Sequence, residues 1–167
     1  LELTNGNAEG DIGGGISSVT SGELALSDVV VRNNRASMGG GLFIGGNTGT
    51  DKQVSLFGVA VVDNIAASGG GMYVMNASVD IGSSARANYF IGNQAIGGLA
   101  DSGDGGAMYV RDAIVIARTH SLGDSGFIEA NFAQRSGGGI HVQSVEDSYV
   151  YLINDIADAP LRLQYNT

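Results

Sequence analysis

Five asparagines recur in one frame: Asn34, Asn64, Asn93, Asn131 and Asn166. The frame is apolar-x-x-Asn-x-Ala, read as Val31-x-x-Asn34-x-Ala36, Val61-x-x-Asn64-x-Ala66, Phe90-x-x-Asn93-x-Ala95 and Ile128-x-x-Asn131-x-Ala133. Leu163-x-x-Asn166 starts it again, and Leu3-x-x-Gly6-x-Ala8 has Gly in the Asn place. A carboxamide offers two N–H donors and two acceptor lone pairs. A column of them can track a polar ligand, or it can bond to itself and to turn backbone. The small Ala after each Asn and the turn setting favour the second, a structural Asn ladder.

A second column follows the glycines: Phe43, Tyr73, Tyr109 and His141. Period-two alternation turns these rings outward, while Leu42, Ile44, Met72, Val74, Met108, Val110, Ile140 and Val142 turn inward. An exposed aromatic strip can bind sugar rings or dock a protein, or it can simply stabilise the sheet by stacking. It is the candidate binding site. Tyr89 and Phe127 would form a second, shorter pair.

Catalytic constellations are not evident. The acids mostly stand singly, as at Asp28, Asp80, Asp112 and Asp124. Asp101 with Asp104, and Glu146 with Asp147, share loops that could hold calcium weakly, but neither has the spaced ligand set of an EF-hand. Solvated loop charge is the favoured reading. His120 and His141 fall in different repeats, so no Ser-His-Asp arrangement follows. The glycines lack a trailing Gly-Lys-Ser/Thr, which argues against phosphate binding. No catalytic residue, metal ligand or cofactor is expected. Asn76-Ala77-Ser78 is a single N-glycosylation sequon, relevant only to a eukaryotic source.

These residues are positioned by a repeat. Glycine triplets recur as Gly13-Gly14-Gly15, Gly39-Gly40-Gly41, Gly69-Gly70-Gly71, Gly105-Gly106-Ala107 and Gly137-Gly138-Gly139. From Gly6 through the five asparagines the steps are 28, 30, 29, 38 and 35 residues. Each repeat shows three short β patterns. One follows the glycines. One is Leu24-x-Leu26, Val54-x-Leu56, Val79-x-Ile81, Ile114-x-Ile116 and Val150-x-Leu152. The third runs into the Asn as Val29-x-Val31, Val59-x-Val61, Phe90, Ile128 and Leu161-x-Leu163. The expectation is an all-β, right-handed parallel β-helix of about five three-strand coils. A β-sandwich would also alternate, but gives no reason for motifs to recur in register. Insertions fall between strands at 45–53, 96–104, 117–125 and 154–160.

Composition agrees. The 167 residues suit one domain, 1–167, and 28 Gly argue against a helical protein. A net charge of −9 with scattered basic residues disfavours nucleic acid and anionic lipid. There is no Cys, which removes disulfides and thiol chemistry, and no apolar run of about 18 residues to span a membrane.

The paired motifs resemble the Gly-Gly-[Ala/Ile/Leu] and Phe-x-x-Asn repeats of polymorphic outer membrane proteins and of similar autotransporter passenger domains. Phe90-Ile91-Gly92-Asn93 matches the second in full, and Gly105-Gly106-Ala107-Met108 is close to the first. Elsewhere Val31, Val61, Ile128 and Leu163 replace Phe, and a third Gly usually replaces Ala. The resemblance covers the whole chain and implies an exported β-helix at a cell surface, used as an adhesin or structural stalk. The functional expectation is an extracellular, non-enzymatic structural or adhesive element that meets a glycan or protein. The alternatives are a polysaccharide-binding or carbohydrate-active β-helix enzyme and a subunit of an extracellular filament. Chain start and end share one phase of the repeat, so a segment of a longer solenoid, or end-to-end self-association, is also expected.

Overall fold

Short alternating strands separated by residues that tolerate a left-handed backbone give a chain that turns often and pairs only at long range. The computed structural model describes residues 1–19, 21–47, 52–82, 87–97, 102–119, 127–143, 148–154, 162–164 and 166–167. Among these it is all-β, with 21 strands in four parallel sheets. The first sheet holds Glu2–Thr4, Val30–Arg32, Ala60–Val62, Tyr89–Ile91, Phe127–Glu129 and Arg162–Gln164. The second holds Asn7–Ile12, Arg35–Met38, Ile65–Ser68, Gln94–Ala95 and Phe132–Ala133. Ile16–Ser18, Leu42–Gly45, Met72–Met75, Met108–Arg111 and Ile140–Gln143 form the third. The fourth is Gly22–Ser27, Lys52–Phe57, Ala77–Ile81, Ile114–Thr119 and Tyr149–Asn154. Each strand pairs with the strand four places on in the chain, so the chain visits the four sheets in turn and then starts the next layer.

Each layer therefore has four strands, which corrects the expected three. The extra strand is the short one after the Asn, such as Arg35–Met38. Its motif reads as a turn because it is brief and presents only a small Ala inward, yet its backbone pairs in register, Arg35 with Ile65 and Ile65 with Gln94.

Four strands need four corners, and most corners turn on one residue with positive φ. Between second and third sheets it is the first Gly of each triplet, for example Gly39 at φ 64°. Between first and second sheets it is the residue before the ladder position: Asn5, Asn33, Asp63, Gly92 and Ala130. Asn76 and Asp112 turn the third sheet into the fourth, and Asp28 and Gly58 the fourth into the first. Asn, Asp and Gly are the residues that adopt this conformation at least cost.

Inside the stack, Leu42, Ile44, Leu56, Val61, Met72, Val74 and Val79 have no more than 2% of their surface exposed, as does Phe90. Val142 takes the inward face expected of it, in register with Val110, but is 44% exposed because it lies on the outermost described strand of its sheet. The grouping of Ile114 and Ile116 with Val79 and Ile81 fails. Ile114 and Ile116 face outward, because Val79 registers with Val115 and Ile81 with Ala117. The run Ala113-Ile114-Val115-Ile116-Ala117 is apolar on both faces, so alternation alone cannot choose between the two registers.

Candidate binding groove and the columns that build it

The Asn column is a continuous ladder. Asn64 accepts at Oδ1 from the backbone N–H and the Nδ2 of Asn34, both at 3.0 Å. Its own Nδ2 donates to Val31 O at 2.9 Å and to Asn93 Oδ1 at 3.0 Å. Asn93 repeats this toward Val61 O and Asn131 Oδ1, and Asn131 toward Phe90 O and Asn166 Oδ1. In Asn64, Asn93 and Asn131 both donors and both lone pairs are thus in use. All three have no exposed surface. At the Gly6 position the column ends in a backbone donor, Gly6 N–H to Asn34 Oδ1 at 2.8 Å. A Cβ there would lie 1.9 Å from Gly14 O, which excludes a sixth Asn.

The aromatic column stacks in register. Phe43 and Tyr73 centroids are 5.5 Å apart, Tyr73 and Tyr109 4.6 Å, and Tyr109 and His141 5.0 Å, with interplanar angles of 20° or less. The rings lie outside the main core, but the expected exposure is corrected: Phe43, Tyr73 and Tyr109 are 4%, 5% and 7% exposed. They cover one another, and Ile12, Met38 and Met75 pack over them as a second apolar cluster. Ring faces spent on neighbouring rings are not open to a sugar. Of the second expected pair, Tyr89 is half-buried and registers with Phe127, whose side chain lies outside the described residues.

Polar atoms at the margin of this cluster line a groove of about 610 Å³ between the second and third sheets. Its walls come from four successive layers: Ser37, then Ser68 and Tyr73, then Ser102, Tyr109 and Arg111, then Arg135 and Gln143. Burial raises the hydroxyl pKa of Tyr73 above that of an ordinary phenol, against the opposing hydrogen bond and charge of Arg111. Tyr109, raised chiefly by burial too, donates its hydroxyl hydrogen to Gln143 Oε1. Both phenols are neutral donors at neutral pH.

Two carboxylates stand behind the arginines. Asp104 has no exposed surface and takes Arg135 Nε on both oxygens, at 3.0 and 3.1 Å, and Arg135 Nη2 besides. The Arg135 hydrogen bonds hold its carboxyl below the usual range although burial pushes it up. Asp112 Oδ2 lies 3.5 Å from Arg111 Nε, a buried nitrogen without a hydrogen-bond partner. Asp104 is therefore committed to an ion pair, which corrects its reading as a loose calcium ligand or solvated loop charge. Asp101, Asp124, His120, Glu146 and Asp147 lie outside the described residues. Among those described, no group of three or more His, Asp or Glu is placed to hold a metal.

The groove is not legible in the sequence. Nor is the way described arginines bridge neighbouring layers: Arg32 to Glu2, Arg35 to Glu9, Arg118 to Asp80 and Arg135 to Asp104. The available signal was spacing: Glu2–Arg32 and Asp104–Arg135 stand about one repeat apart. A further outward feature is Tyr149 and Tyr151 on the fourth sheet, 44% and 47% exposed with centroids 6.0 Å apart, beside outward Ile114 and Ile116.

No helix among the described residues is long and apolar enough to cross a membrane. Comparison with known protein families, curated proteins and solved structures finds no match to this chain.

Proposed function

We propose that the chain is a right-handed parallel β-helix of the polymorphic outer membrane protein kind, working as a non-enzymatic structural or adhesive element at a cell surface or outside the cell. The observation that carries this reading is the layered pairing, in which every strand meets the strand four places on. Such a stack presents the same outward position once per layer, roughly every 4.8 Å, and so offers a long regular surface for a repetitive partner. The right hand follows from the general rule for crossovers between parallel strands in one sheet. An interior whose ladder amides, Asn64, Asn93 and Asn131, are consumed by neighbouring layers leaves the outer faces and corners to meet a partner. The ion pairs Arg32–Glu2, Arg35–Glu9 and Arg118–Asp80 fit the same role, since they sit partly exposed on that surface and bridge successive layers.

The test is adhesion. Beads coated with the purified chain are passed over immobilised extracellular-matrix proteins, acidic and neutral polysaccharides, and cultured cells. Retention above albumin-coated beads on at least one surface, with no new reducing ends released from the polysaccharides, is expected. Uniform loss of the beads would overturn the adhesive role. Release of reducing ends would replace it with a carbohydrate-active enzyme.

A further inference from the structure

We infer that the groove between the second and third sheets is a binding site for a linear acidic glycan laid along the stack. The proposal deepens the adhesive reading and rests on it. Three observations meet here. The groove crosses four layers, so it runs along the stack and spans roughly 14 Å at the strand spacing, room for about three sugar units. One layer and one sugar of an extended chain advance by similar distances, so a glycan can repeat its contacts layer by layer.

The second observation is charge. The chain carries −9, yet among the described residues the groove lining includes Arg111 and Arg135 and no carboxylate. Asp104 and Asp112 sit behind the guanidinium groups and orient them. A guanidinium fork matches a carboxylate, and the Arg111 side chain is 43% exposed.

The third is hydroxyl chemistry. Ser37, Ser68 and Ser102 line the groove together with Tyr73 and Tyr109. Hydroxyls both donate and accept, which suits sugar hydroxyls. Because the ring faces are consumed by stacking, recognition here runs through hydrogen bonds and charge. An acidic peptide would share the charge but would not use these hydroxyls.

The experiment is titration calorimetry of the purified chain with tetragalacturonate, cellotetraose and tetraglutamate. Saturable binding of tetragalacturonate is expected, weakening with added salt, with cellotetraose and tetraglutamate at least about tenfold weaker. Arg111→Gln should weaken tetragalacturonate at least about tenfold while the circular-dichroism melt is kept. Tyr73→Phe, which leaves the stack in place, should weaken it severalfold, so that a poorly folded Arg111→Gln does not decide the matter. No tetragalacturonate binding, equal binding by cellotetraose or tetraglutamate, or binding untouched by Tyr73→Phe and by a folded Arg111→Gln would overturn the proposal. The coated-bead assay run with these variants keeps the two readings apart. Beads that adhere equally with Arg111→Gln preserve the adhesive role and sink the groove. Tetragalacturonate binding with no bead adhesion keeps the groove and sinks the role.

Discussion

Asn93 is held by more polar contacts than any ordinary core residue needs. Replacing it with Ala strips partners from Asn64 N–H, Asn64 Nδ2, Val61 O and Asn131 Oδ1 at once, leaving buried groups unpaired in two directions. Asn93→Ala should cost about 3 kcal/mol, seen as a lower urea midpoint with an unchanged slope. Ala130 makes the opposite case. It is exposed and holds φ 54° at a corner where its counterparts are Asn, Asp and Gly. Ala130→Gly should therefore stabilise by about 1 kcal/mol, measured the same way. At Asp104 the folded carboxyl is held below the unfolded value near 3.9. Its contribution is present above about pH 4 and is lost as pH falls toward the folded value. Asp104→Asn should accordingly flatten the loss of melting temperature between about pH 5 and pH 3. The residues of this scale were unevenly legible. The Asn column was readable because five copies share one frame. The Asp104–Arg135 pair was not, since an Asp in a Gly-rich loop reads as solvated until the next layer supplies its arginine.

At the scale of elements, backbone proximity decides more than side-chain chemistry. A Cβ on Gly40 would lie 2.4 Å from Gly70 O and 2.5 Å from Ile65 O, both backbone atoms that the layer spacing fixes. Gly10 has φ 86° but nothing within 4 Å of a Cβ. Gly40→Ala should cost about 3 kcal/mol or more, and Gly10→Ala only about 1 kcal/mol, in parallel urea melts. Strands with one apolar face were legible from alternation, as at Leu42–Gly45 and Met72–Met75. The strand Ile114–Thr119 was not, because both of its faces are apolar and a one-residue slip costs nothing in pattern. The short strand after each Asn escaped for a different reason. Two to four residues around an Ala give alternation nothing to count, and only pairing to the layers above and below makes them a strand.

Across the whole molecule, each layer contacts its neighbours through four sheets, the Asn ladder, the aromatic stack and the ion pairs between layers. Stability in such an array is close to a sum of layer and interface terms, so damage at one layer should stay local in its contacts. Repetition is also what made the general architecture readable: motifs separated by 28 to 38 residues can share a frame only if the chain returns to the same place. The groove was not readable, because its walls come from four layers and two sheets whose angle no single repeat encodes. The layers are held in register by a hydrogen-bonded asparagine column, which isotope-edited NMR of the side-chain amides reads out. Slow hydrogen exchange is expected for the carboxamides of Asn64, Asn93 and Asn131, with nuclear Overhauser contacts running Asn34 to Asn64 to Asn93 to Asn131. Fast exchange at those amides, or the absence of contacts between successive members, would contradict it.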